Sequence, residues 1–166
     1  MISISPHMNE EAAKIRATIL RVALPAGFAI KLAKHLDEWI SRAEIPDVLR
    51  DYLRHCTSSA PFDLGPYSIC SLQWSYSFAR EHPLLTTEGV LAVATAGNGD
   101  VLVCLSKQSN CPVGILSHEG IWETKNSAEL YRQILPVSSS LTCFFESCTS
   151  NADLPGDFHA AKSQLK

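Results

Sequence analysis

The stretch Val90-Leu91-Ala92-Val93-Ala94-Thr95-Ala96, Gly97-Asn98-Gly99-Asp100, Val101-Leu102-Val103-Cys104-Leu105 decides the fold. Two unbroken apolar runs of strand length flank a cluster of turn residues. Asn98-Gly99 supplies the positive φ angles of a tight hairpin turn, so the two runs are expected to pair antiparallel. Lys107 to Asn110 reads as a second turn. Pro112 to Ser117 reads as a third strand, with Pro112 at its start, where a missing N–H is tolerated. Together they predict an antiparallel meander.

On the N-terminal side of this sheet the pattern is helical. Asn9 is placed to cap a first helix, and Glu10 and Glu11 suit the positive end of its dipole. Ala12, Ile15, Ile19 and Val22 recur at helical spacing. Pro25 ends this helix or opens the next, in which Phe28, Leu32, Leu36, Trp39 and Ile40 form the apolar stripe. A third, short helix starts at Pro46 and carries Val48, Leu49, Tyr52 and Leu53. Residues 57–66 are a loop by composition, and Tyr67 to Cys70 form a short edge strand. Ser71 to Glu81 fits two patterns. Leu72, Trp74, Tyr76 and Phe78 alternate as in a strand, whereas Leu72, Ser75, Tyr76 and Ala79 share one helical face.

On the C-terminal side, Ser127 to Leu135 reads as a helix broken by Pro136. Ser138 or Ser139 caps a further helix holding Leu141, Phe144 and Phe145. Residues 149–157 are rich in turn formers. The expected organisation is one α+β domain over residues 1–157, an antiparallel sheet flanked by N-terminal and C-terminal helices, with 158–166 as a short C-terminal tail, frayed helix or disordered. The length of 166 residues suits one domain, and a hydrophobic fraction of 46% rules out wholesale disorder.

The composition excludes several function classes. No apolar run approaches the roughly 20 residues of a membrane span. The N-terminus lacks a basic segment followed by an apolar one, so no secretory signal is read and the expected location is cytoplasmic. Fourteen basic residues face 17 acidic ones without a Lys/Arg cluster, which argues against a nucleic-acid partner. The charge is uneven. Residues 1–80 carry a net +1 and residues 81–157 a net −6, the latter from Glu81, Glu88, Asp100, Glu119, Glu123, Glu129, Glu146, Asp153 and Asp157. Ordinary solubility explains such a surface, and so does steering of a basic partner.

Catalytic motifs are missing. His118-Glu119 begins like H-E-x-x-H, but position 122 is Trp, so the second metal ligand is lost. Gly97-x-Gly99 lacks the third glycine and following helix of a dinucleotide loop. Neither a phosphate loop nor a G-x-S-x-G elbow is present. The six cysteines form no C-x-x-C pair and read as reduced thiols. Cys70 and Cys104 fall in apolar runs, whereas Cys111 and Cys148 are expected to be more exposed. No cofactor, metal or catalytic residue is expected. An enzyme reading survives only as a Cys/His pair assembled in three dimensions, for instance a thiol beside His118.

The order of elements resembles the SUKH superfamily, which includes fungal cell-wall-synthesis regulators and many bacterial proteins. The resemblance spans about residues 24–148. It rests on Leu24-Pro25, on the Gly97 to Asp100 hairpin between strands, and on Ser139-Ser140-Leu141-Thr142-Cys143-Phe144-Phe145 in the closing helix. The family often has an acidic residue after the second strand, where this chain has Ser106-Lys107. The resemblance implies a binding domain, in bacteria commonly an immunity protein that neutralises a cognate toxin, often a basic nuclease. The alternative it implies is a regulatory or signalling interaction domain. Candidate partner contacts are Glu88, Asp100, Glu119 and Trp122, with Trp74 and Tyr76 as aromatic anchors. For Trp74 and Trp122 the core reading leads over the anchor reading.

Overall fold

The computed structural model describes residues 8–23, 28, 32–150 and 152–165. The Leu24-Pro25 step lies outside them. Among the described residues the chain forms an α+β fold in which six strands make one sheet in the order β1-β2-β3-β4-β5-β6, each antiparallel to the next. The central strands are β3 (Val90–Thr95), β4 (Val101–Leu105) and β5 (Val113–Leu116), as the apolar runs require. The turn joining β3 to β4 differs from expectation. Only Gly99 takes a positive φ, +93°, while Asn98 does not. The Gly99 N–H bonds to the Ala96 carbonyl at 3.0 Å and the Ala96 N–H to the Asp100 carbonyl at 2.8 Å. This is a three-residue loop with glycine at its left-handed position, which needs one positive φ rather than two.

The outer strands were not legible as strands. β1 (Phe62–Leu64) lies in the stretch expected to be loop and pairs with β2 (Tyr67–Ile69), Leu64 opposite Tyr67. Gly65 turns the chain between them at φ +59°, and a Cβ there would sit 2.6 Å from the Cys148 carbonyl oxygen. Glycine is needed both for the turn and for the close approach. At the other edge, β6 (Leu135–Ser138) contains Pro136, tolerated because an edge strand has one side free of partners.

The N-terminal helices are α1 (Glu10–Val22), α2 (Lys34–Arg42) and α3 (Asp47–His55). Asn9 caps α1, its side chain accepting from the Glu11 and Ala12 N–H groups. The second stripe is only partly helical: Leu36 and Ile40 are buried on α2, and Phe28 and Leu32 pack on the core before the helix begins. Residues 71–81 resolve as helix α4 (Leu72–Glu81), and α5 (Pro83–Thr87) follows without a sequence expectation. Between β5 and β6 lie α6 (His118–Glu123) and α7 (Ser127–Gln133), and the chain closes with α8 (Leu141–Thr149) and α9 (Phe158–Gln164). The residues read as a tail thus form a packed helix, with Ala161 buried and Phe158 against the core.

Both faces of the sheet are covered. Leu91, Val93, Leu102, Cys104, Val113 and Ile115 join the larger core with α1, α3 and α8. Val90, Ala92, Val101, Val103 and Leu116 join a smaller core with Leu85, Ile121 and Leu130. A register shift between Ala92 and Ala94 turns Ala94 to the larger core with Val93. Burial on both faces explains why these strands are continuously apolar rather than alternating. No described helix is long and apolar enough to cross a membrane.

Two buried tyrosines respond oppositely to loss of their hydroxyls. The Tyr67 hydroxyl donates to the Pro155 carbonyl at 2.6 Å, tying β2 to the last loop. The Tyr52 hydroxyl is buried with no hydrogen-bond partner. Tyr67→Phe is expected to cost about 1 kcal/mol and Tyr52→Phe to be neutral or stabilising by about 1 kcal/mol. Urea denaturation of the two variants checks the contrast.

Candidate functional site

The site is built on a second face of α4, beside the one that docks on β3. Ser71 caps the helix, accepting from the Trp74 N–H at 3.2 Å. Leu72, Ser75 and Ala79 turn inward, and the Ser75 hydroxyl donates to the Ala92 carbonyl of β3 at 3.0 Å. That fixes the rotation of the helix. Trp74, Phe78 and His82, spaced by four, then form a second stripe. Trp74 stacks on Phe78 with ring centroids 5.0 Å apart, and Phe78 meets His82 at 4.5 Å. His82 meets Trp122 of α6 edge-on at 4.7 Å. The four rings make a continuous column based on the smaller core, against which Trp74 and Phe78 pack.

Trp74 and Phe78 are half-buried, His82 is buried, and the column ends exposed. Trp122 at its end is 75% exposed, the most exposed of the large apolar side chains in the described residues. It projects because Ile121 takes the buried position of α6 and Gly120 faces Gln133 of α7, where a Cβ would collide with that side chain. Burial holds the His82 imidazole below its ordinary pKa, against the opposing pull of Glu81. Protonation of that ring is therefore disfavoured in the folded protein.

Of the residues singled out from sequence, the structure brings Trp74 and Trp122 together through Phe78 and His82, and places Glu119 on α6 beside Trp122. The core reading of Trp122 is corrected: α6 turns Ile121 inward and leaves the indole outside. Tyr76 lies elsewhere, its ring 5.4 Å from both His35 and Trp39 with the Arg80 guanidinium over it at 5.7 Å. Glu88 joins α5 to α7 instead of standing free. It accepts from the Ser127 hydroxyl at 2.8 Å, pairs with Lys107 at 3.4 Å, and its carbonyl accepts from Tyr131 at 2.9 Å. The Ser127 hydrogen bond is the main cause holding its carboxyl below the usual value.

Asp100 is 1% exposed and is spent on the fold. One carboxylate oxygen accepts from the His118 N–H at 3.0 Å and from His118 Nδ1 at 2.8 Å. The other accepts from Asn98 at 2.7 Å and the Phe158 N–H at 2.9 Å. The carboxylate ties the β3–β4 turn to the starts of α6 and α9. Asp100 is buried beneath four donors, and each Glu88 carboxylate oxygen already accepts from a neighbour, Ser127 or Lys107. Phe78 and His82 were missed from sequence, although the aromatic spacing at 74, 78 and 82 was the signal.

No protein-family model, no curated protein and no solved structure matches this chain. Cys111 and Cys148, expected to be exposed, are buried, and Cys143 is the exposed one. Cys111 turns inward at φ +48° beside Cys104, and Cys148 packs under Gly65. Burial pushes the Cys56 and Cys148 thiols up to about 12. His118 bonds Asp100, and among the described residues no histidine shares a hydrogen bond with a thiol. Among the same residues no group of three His, Cys, Asp or Glu is placed to hold a metal ion.

Proposed function

We propose that this chain is a non-enzymatic protein-binding domain, SUKH-like and of the immunity type, that neutralises a toxin by docking it on the surface around Trp122. The observation that carries this reading is the exposed indole at the end of an aromatic column. Trp is among the side chains enriched at binding hot spots, and an indole braced by the His82 ring loses less conformational freedom when it is covered. The excess negative charge of residues 81–157 supports a basic partner, such as a nuclease domain. The Gly97–Asp100 hairpin and the Ser139–Phe145 helix start are the residues behind the SUKH-like assignment.

Co-expression with a toxin encoded beside the gene is the test. The expected result is a stable complex and protected cells. Trp122→Ala is expected to weaken binding by about 30-fold or more while leaving folding stability within about 0.5 kcal/mol, since the indole is exposed. Absence of any complex with the neighbouring product, together with capture of housekeeping or signalling partners, would favour a regulatory interaction domain instead.

A further inference from the structure

The chain around Trp122 carries acidic side chains that, among the described residues, form no ion pair. Glu119 lies one helical turn before it and Glu123 directly after it, both exposed on α6. Glu81 precedes His82, the ring that touches Trp122, and acts on that imidazole electrostatically. Among the described residues none of these three carboxylates forms an ion pair or a hydrogen bond, whereas Glu88, the cap of the neighbouring α5, pairs with Lys107 and accepts from Ser127. Lys125 lies exposed three residues after Trp122, and Arg80, next to Glu81, is turned to Tyr76 on another face of α4.

We propose that Trp122 is the floor of a receptor for one arginine side chain of the partner, with Glu81, Glu119 and Glu123 as its rim. This rests on the protein-binding reading of the same surface and names the chemistry it recognises. An apolar partner group covering Trp122 would strip water from the uncompensated Glu119 carboxylate one turn away, which is costly. A cation offsets that cost and is itself attracted to the negative face of an indole, the best aromatic ring for this purpose. Arginine suits the geometry better than lysine. Its planar guanidinium stacks on a ring while its edge donors stay free for carboxylates. His82 strengthens the site by staying neutral, since a protonated imidazole would compete with the incoming guanidinium.

The experiment is an NMR titration of the whole chain with the peptide acetyl-Gly-Arg-Arg-Gly-amide, and with the same peptide carrying citrulline in place of arginine. Citrulline keeps the shape and removes the charge. The expected result is a saturable shift of the Trp122 indole N–H by the arginine peptide, with those of Trp39 and Trp74 moving less and citrulline producing little. The double variant Glu119→Gln, Glu123→Gln is expected to bind about fivefold more weakly. Equal shifts from citrulline, no shift at Trp122, or indifference to the double variant would overturn the arginine receptor. Arginine-specific shifts without toxin protection would leave the receptor standing and remove the immunity reading. Protection that depends on Trp122 but not on the glutamates would do the reverse.

Discussion

Asp100→Ala is expected to destabilise the protein by about 3–5 kcal/mol, because it removes one buried acceptor that serves four donors. Three of those donors belong to segments far apart in sequence, His118 and Phe158, so the loss loosens α6 and α9 from the β3–β4 turn together. Asp100→Asn keeps the shape but turns an NH₂ group towards donors, and is expected to cost about 2 kcal/mol. The pH dependence has a definite sign. Burial alone would raise this carboxyl, but the hydrogen bonds from Phe158, Asn98 and His118 outweigh it and hold it below its ordinary value of 3.8. A carboxyl lowered by folding contributes its stability above the unfolded-state value and loses it as pH falls through the folded one. The wild-type urea midpoint is therefore expected to drop on acidification below about pH 4. The Asp100→Asn midpoint should fall less over the same range. A loss under about 1 kcal/mol for the alanine variant would refute the bracing role.

Phe144→Ala is expected to cost about 4 kcal/mol. The ring is fully buried. It stacks on Tyr67 at 5.6 Å and meets Phe145 edge-on at 5.4 Å, joining α8 to β2 across the larger core. Removing it leaves a cavity bounded by Tyr67, which the Pro155 carbonyl holds in place, and by Phe145, which is braced by Tyr52 at 5.3 Å. Neither neighbour can collapse freely into the space, so the penalty lies towards the upper end for such truncations. Thermal or urea unfolding measures it. A loss below about 2 kcal/mol would mean that the α8 contact is less tightly packed than the ring geometry shows.

What could be read from the sequence follows from the range of the forces involved. β3, β4 and β5 were legible because full burial on both faces writes an unbroken apolar run. α1 and α3 were legible because a buried stripe and a cap are local signals. β1 and β6 were not. Three or four residues with proline nearby carry almost no period, and both strands exist because a neighbouring strand offers hydrogen bonds. The helical state of residues 71–81 was undecided locally, since aromatic alternation and helical spacing coexist there. Docking of Leu72, Ser75 and Ala79 against the sheet decides it.

The candidate site divides in the same way. Its residue types, two tryptophans and an excess of carboxylates in one half of the chain, were visible in the sequence, and so were the missing catalytic motifs. Which carboxylates are free was not visible. Glu88, Asp100 and Glu119 look alike in sequence, yet one is engaged in a three-way contact, one is buried beneath four donors, and only Glu119 lies open beside Trp122. Composition and periodicity alone determined an α+β domain with an antiparallel sheet and an acidic second half. Only the tertiary structure decided which side chains are spent on the fold and which remain for a partner, because that depends on contacts between residues tens of positions apart, which leave no local pattern.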